Sequence, residues 1–341
     1  MSRQTGLIAL ACLLAPALAA AAADKFEVAT EAPIREIPFG GIHGTPAWGA
    51  LSPDGRSVLT TKMGDLTVRP LESADETQLL PEGSIVTVWT RSWVTLSPSG
   101  KWIYYLHSAD SPVRNDLWRL DPSNRQKVLL IKNVSGGNMF WPQPSPDGKS
   151  IAFYRGNGKE LLVAAVDGRN ERVLCERCAA RSMVWSPDSS QILFTSYEEG
   201  ADYTITKPSL LTVATGQVKP LAPWKGVIYS FVWPAWSSGP FFSLIVNHNG
   251  SHTMESMQIW HLSPLRDERA QVTRNPGNRY FHIFGAGTDG HSLVVHRLPP
   301  PQNGWDLFFD LFARFVPGAS RVDPNYGDPN FRPTVLLTLQ E

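Results

Sequence analysis

Long apolar runs are scarce in this chain. Beyond the first 23 residues no segment approaches the roughly 20 consecutive apolar residues that a membrane-spanning helix needs, so no stable span is expected after them. Charge is scarce too. Only 18% of residues are charged, and 31 basic side chains balance 31 acidic ones, which leaves no basic footprint for nucleic acid and no acidic tail. Several catalytic signatures are missing: the H-E-x-x-H of zinc proteases, the phosphate-binding P-loop, the Gly-rich dinucleotide fingerprint and the G-x-S-x-G nucleophile elbow. No cofactor is expected.

Cysteine is nearly absent, with three in 341 residues, and one of these, Cys12, lies in the N-terminal apolar segment. That segment, "MSRQTGLIALACLLAPALAAAAADKF", has the layout of a secretory signal. Arg3 supplies the positive start, residues 7–18 the apolar stretch and the alanines a cleavage site. Cleavage after Ala19 or Ala23 would leave a mature chain from about Asp24. An uncleaved anchor is the alternative. A lipoprotein at Cys12 fits less well, because Ala9 stands where such signals carry Leu. The expected division is thus a signal over 1–23 and one domain over 24–341, exported to the periplasm or beyond. Cys175 and Cys178 remain, in "VLCERCAARS". In an oxidising compartment such a pair most simply closes a small disulfide loop. Haem attachment would need His in place of Ala179, and a zinc site would need two further ligands nearby.

What the chain does have is punctuation and aromatics: 27 Gly, 28 Pro and 12 Trp. They are organised by a repeat. "ALSPDGRSVLTT" (50–61), "TLSPSGKWIYYL" (95–106), "QPSPDGKSIAFY" (143–154) and "VWSPDSSQILFT" (184–195) are four clear copies. "AWSSGPFFSLIV" (235–246) and "GAGTDGHSLVVH" (285–296) are two degraded ones. Aligned on Ser52, Ser97, Ser145, Ser186, Ser237 and Gly287, the copies step by 45, 48, 41, 51 and 50 residues. In each, an apolar segment enters the turn, Asp-Gly offers the positive φ of a tight hairpin, and an alternating strand follows. Two further strands complete the unit. Four short antiparallel strands at this period predict an all-β fold, a six-bladed β-propeller, with blades starting near 45, 90, 138, 180, 230 and 280. One four-stranded sheet cannot bury both faces alone, and stacking sheets around an axis buries them.

Closure of the ring has two candidates for one edge: an N-terminal strand over 33–39, "PIREIPF", and the C-terminal "RPTVLLTL" (332–339). In the sixth unit, 304–316 reads two ways. Trp305, Phe308, Phe312 and Phe315 have helical spacing, yet "DLFFDL" aligns with the third strand "DLWRLD" of the second unit.

Repeated Ser-Pro-Asp-Gly units after a signal peptide resemble the WD40-like propeller repeats of the TolB family, over roughly residues 40–300. The resemblance implies a periplasmic propeller that serves as a protein-interaction platform in the cell envelope. The segment before residue 40 is too short for the extra N-terminal domain that TolB carries, so a Tol-system role is not implied. The same repeat occurs in oligogalacturonate-lyase-like enzymes. The expectation is a monomeric, non-catalytic scaffold for a protein partner; the alternative is an enzyme or binder acting on polysaccharide at the channel mouth, with a metal on His248, His252 or His282. Four residues before the turn serine lie Trp48, Trp93, Trp141 and Trp233. These are the candidate ligand contacts, either as blade-to-blade wedges or as an aromatic rim around the channel. Variable loops after each second strand are expected to carry specificity.

Overall fold

The computed structural model describes residues 26–33, 48–61, 65–70, 73, 75–81, 84, 85, 87, 88, 91, 92, 94–111, 114–135, 142–156, 158–178, 182–199, 204–245, 247, 248, 251, 252, 258–274, 279–287, 289–298 and 334–340. Among these every regular element is a strand, and six antiparallel sheets of four or five strands form a six-bladed β-propeller.

The first strand, β1 (Glu27–Pro33), belongs to the last blade. Blade 1 comprises β2 (Trp48–Leu51), β3 (Ser57–Thr61), β4 (Leu66–Pro70) and β5 (Thr77–Leu80). A separate ribbon, β6 (Thr87–Val88) and β7 (Arg91–Ser92), lies on the way to blade 2, which is β8 (Val94–Leu96), β9 (Ile103–Ser111), β10 (Arg114–Leu120) and β11 (Lys127–Val134). Blade 3 is β12 (Gln143–Pro144), β13 (Ser150–Arg155), β14 (Glu160–Ala165) and β15 (Arg172–Glu176). Blade 4 is β16 (Ser182–Trp185), β17 (Gln191–Glu199), β18 (Thr204–Thr212) and β19 (Val218–Pro220), with β20 (Trp224–Lys225) added beside β18. Blade 5 is β21 (Val227–Val232), β22 (Phe241–Ile245), then, after a second ribbon of β23 (Asn247–His248) and β24 (Ser251–His252), β25 (Gln258–Ser263) and β26 (Glu268–Gln271). Blade 6 is β27 (Arg279–Ala286), β28 (Ser292–Leu298) and β29 (Thr334–Gln340), with β1 outermost.

Both chain ends therefore close blade 6, in a way that corrects the sequence expectation. The closing strand is Glu27–Pro33, which pairs antiparallel with β29 from Glu27↔Gln340 to Pro33↔Val335; of the expected strand over 33–39, residues 34–39 lie outside the described residues. The C-terminal segment does not compete for that edge; it supplies the third strand, pairing with β28 from Ser292↔Thr338 to His296↔Thr334. The third-strand place proposed for "DLFFDL" is thus taken by β29, and 304–316 itself lies outside the described residues. The physical reason is Phe26. Its ring is 5% exposed and packs edge-on against Phe241 and His261, with centroids at 5.0 and 4.9 Å, and against Trp236 at 6.0 Å. Phe26, Val28, Leu337 and Leu339 join one core with blade 5.

Among the described residues, five large apolar clusters each fill a seam between two blades. Leu59 and Leu66 meet Ile103 and Leu120; Leu106 and Leu117 meet Ile151 and Phe153; Tyr154 and Leu161 meet Trp185 and Ile192. Leu193 and Trp224 meet Ile228 and Phe242, and Phe241 and Ile259 meet Ile283 and Leu293. In each case alternate residues of one strand serve opposite seams, as period-2 alternation requires: Ile151 and Phe153 face blade 2, Ala152 and Tyr154 face blade 4.

In blades 1 to 4 the repeated turn has one construction. The serine N–H donates to a carbonyl five residues on (Ser52 to Ser57, 2.7 Å; Ser145 to Ser150, 2.8 Å; Ser186 to Gln191, 2.9 Å). The glycine N–H donates back to the serine carbonyl, at 2.9 Å for Gly55, Gly100 and Gly148. Those glycines have φ of 69°, 70° and 70°, and in blade 4 Ser189 takes the same left-handed conformation at 61°. At Gly148 a Cβ would meet nothing within 4 Å. Gly148→Ala is therefore expected to cost about 1–2 kcal/mol through backbone conformation alone, read as a shift of the urea midpoint with an unchanged slope.

Candidate functional site

The topology gives the ring two unlike rims. One, the turn rim, carries the connections from first to second and from third to fourth strands. The other, the loop rim, carries the second-to-third connections and the crossovers between blades.

The turn rim is closed upon itself. Ser52, Ser145 and Ser186 donate their hydroxyls to Asp54, Asp147 and Asp188 at 2.5, 2.5 and 2.6 Å. The same carboxylates accept the backbone N–H of Arg56, Lys149 and Ser190. Adjacent turns also meet, since Asp147 N–H donates to Ser189 Oγ of the next blade at 3.0 Å. The serine hydroxyl bonds hold Asp54 and Asp188 below the ordinary carboxylate range. At Asp147 partial burial acts the other way, and its donors outweigh it. A carboxyl with a depressed folded pKa contributes stability that is present above its unfolded value and lost as pH falls through the folded one. The protein is expected to lose stability below about pH 4, and Asp188→Asn to show a shallower loss between about pH 5 and pH 3, measurable by urea melts across that range.

The loop rim is where the chain departs from four plain strands. Both ribbons stand there. So do the two longest hairpins: β9, β17 and β18 each have nine residues against five in β3, except that β9 turns back through the seven of β10. Nine residues rise about 30 Å where five rise about 17 Å, so blades 2 and 4 stand above the ring. These projections are braced. His107 Nδ1 lies 2.8 Å from the Ser84 carbonyl at the root of the first ribbon, and its ring meets Trp118 edge-on. Tyr197 Oη donates to the Ile228 carbonyl at 3.0 Å, tying the β17 hairpin to blade 5. Strand β20 pairs with β18 at Ile205 and Thr206, and Trp224 stacks on Phe242 at 5.0 Å.

Of the four tryptophans, Trp48 opens β2, and Trp93 and Trp141 lie outside the described residues. Trp233 does not share the position of Trp48. In blades 1 to 4 and 6 the residue before the aligned Ser or Gly ends the innermost strand, but β21 ends at Val232, directly before Trp233. The reason is a longer turn: Val232 pairs with Phe241, enclosing eight residues, whereas Leu51 pairs with Val58, enclosing six. Trp233 is half-buried on the core between blades 4 and 5. Counting from the strand end instead, Tyr229 takes the minus-four position.

Of the histidines, His248 pairs with Ser251 and His252 with Asn247, on adjacent rungs of the second ribbon. His282 lies in β27 and pairs with His296 of β28, a residue that spacing in the sequence does not connect to it. No group of three or more His, Cys, Asp or Glu gathers among the described residues. Cys175 and Cys178 are joined as a disulfide at the end of β15, at the outer edge of the blade 3–4 core.

No family model and no curated protein matches the chain. Solved structures do. A putative TolB from Agrobacterium tumefaciens is 16% identical with a TM-score of 0.50, over 67% of this chain and 82% of that one. An oligogalacturonate lyase in complex with manganese is 13% identical with a TM-score of 0.52, over 86% and 76%. A chain of a nidogen/laminin complex is 15% identical with a TM-score of 0.52, over 71% and 85%. At such identities the likeness concerns architecture, and this chain has the TolB-like β-propeller fold.

Proposed function

We propose that this protein is an exported, non-catalytic propeller that works as a monomeric interaction scaffold for a protein partner in the cell envelope. The docking face in this reading is the loop rim. The observation that carries it is the one-sidedness of the embellishments: two ribbons, the long hairpins of blades 2 and 4, and β20 all stand on one rim, while the other is spent on its own turns. Binding residues on loops held by a rigid scaffold are the common arrangement. Arg3, the apolar stretch 7–18 and the alanines after it support export to the periplasm, as does the pairing of Cys175 with Cys178.

The test is capture from envelope extracts after cross-linking, with Thr87–Ser92 and Asn247–His252 each replaced by a two-residue turn. A specific partner is expected to be lost with the trimmed ribbons and kept with Lys149→Ala on the turn rim. Capture that survives both trims, or fails with the turn-rim variant, contradicts the reading. The competing reading, an enzyme acting on polysaccharide, predicts unsaturated products from pectic oligosaccharides with manganese added; the scaffold reading predicts none.

A further inference from the structure

We propose that the turn-rim end of the seam between blades 2 and 3 binds a small oxyanion, a carboxylate or a phosphate, through Arg119 and Lys101 beside Trp102. The strands bring these groups together. Alternation along β10 puts Arg119 on the same face as Leu117, which is buried in the core shared with blade 3. Trp102, directly before β9, packs on that same core. Arg119 lies opposite Tyr104 in the β9–β10 ladder, two residues beyond Trp102. Its guanidinium carbon is 4.1 Å from the centre of the Trp102 ring, and the Lys101 ammonium is 4.9 Å from it.

Arg119 lacks what comparably covered arginines have. Arg69 donates its Nε–H to the Ser73 carbonyl at 3.1 Å, and Arg155 pairs with Glu171 at 2.9 Å. Among the described residues no acceptor and no carboxylate meets Arg119. Its Nε is sealed from solvent, whereas the two Nη atoms are not. A half-buried cation without an acceptor is costly. Stacking on the indole face holds the guanidinium in place and leaves its Nη edge as a preformed fork. That edge matches the paired oxygens of a carboxylate or a phosphate.

The surrounding charge points the same way. This end of blade 2 carries Lys101, Arg119, Arg125 and Lys127 against Asp121 alone. Asp121 is engaged in its own turn, where it accepts the Ser123 N–H at 2.9 Å and the Ser123 hydroxyl at 2.6 Å. Arg125 leans away, toward the Gln78 carbonyl of blade 1. The turns of blade 3 at this rim neutralise themselves, Lys149 with Asp147 and Arg169 with Asp167. Arg119 and Lys101 are therefore left uncompensated around one ring. The outer side of the seam is closed by Leu130, against whose carbonyl Gly168 of blade 3 lies. This site is far from the loop rim, and it stands or falls separately from docking there.

The experiment follows the Trp102 indole N–H by nuclear magnetic resonance in the full chain, ¹⁵N-labelled at tryptophan and assigned with Trp102→Phe. Sodium acetate or sodium phosphate replaces sodium chloride at constant ionic strength. A saturable shift is expected with at least one of them, and the one that saturates at lower concentration identifies the group as carboxylate or phosphate. Arg119→Lys keeps the charge and loses the fork, so it should weaken binding by roughly tenfold or more. Lys101→Ala should weaken it less, and Arg172→Gln, on the outer strand of blade 3, should leave it unchanged. The native titration needs no variant to fold. A shift that does not saturate with either anion, equal affinity in Arg119→Lys, or an equal loss in Arg172→Gln each overturns the proposal.

Discussion

Phe26→Ala is expected to destabilise the protein by about 3–5 kcal/mol, the range for emptying a buried phenylalanine site. In a domain of this size that lowers the melting temperature by on the order of 5–10 °C. The effect should be large because Phe26 does two jobs. It fills a pocket of Phe241, His261 and Trp236 in blade 5, and it pins the first residues of β1, which has only one sheet neighbour, β29. Without the ring the outermost strand of blade 6 is held by its backbone bonds and the half-buried Val28, and such an edge frays first. Hydrogen exchange should therefore show Glu27–Pro33 losing protection well before blades 3 and 4. A melting temperature within a degree or so of the native protein would mean that β1 does not close the ring.

Gly168→Ala is the second large effect, expected at about 2–5 kcal/mol. Gly168 has φ of 83°, in the left-handed region, where an alanine costs about 1–2 kcal/mol. Its Cβ would also lie 2.3 Å from the Leu130 carbonyl oxygen and 2.9 Å from its carbon, on the outer strand of blade 2. Neither backbone can yield without parting the two blades, and overpacking of that kind adds roughly 1–3 kcal/mol. Gly148→Ala is the control, with the same backbone conformation and open space around it. The difference between the two variants, taken from urea midpoints, isolates the contact between blades 2 and 3. Equal losses would show that the blades are not packed as closely as the fold requires.

The architecture was legible because its signal is local. Serine, aspartate and glycine in a turn such as 145–150 satisfy one another within six residues, so their spacing survives in the sequence however far apart the blades' partners lie. Closure was not legible, because it depends on pairing residues 27–33 with 334–340 across the whole chain. Alternation in "PIREIPF" looks as good as that in "EVATEAP" until Phe26 is seen in its pocket. The alignment of Trp233 failed for a related reason: two extra residues in the turn of blade 5 shift the strand without disturbing the serine on which the copies were aligned. The second ribbon did have a local signal, Asn249-Gly250 between short polar strands. His296 had none, since only the register of β28 sets it opposite His282.

The measurement closest to the central claim is photo-cross-linking in the living cell, with a reactive amino acid placed at single positions on each rim. Ser196 and Glu198 on the hairpin of blade 4 report on the loop rim. Arg56 and Lys149 report on the turn rim. A scaffold docking through its loop rim predicts discrete protein adducts from the first pair and none from the second. Adducts from the turn rim, or none from either, would contradict it.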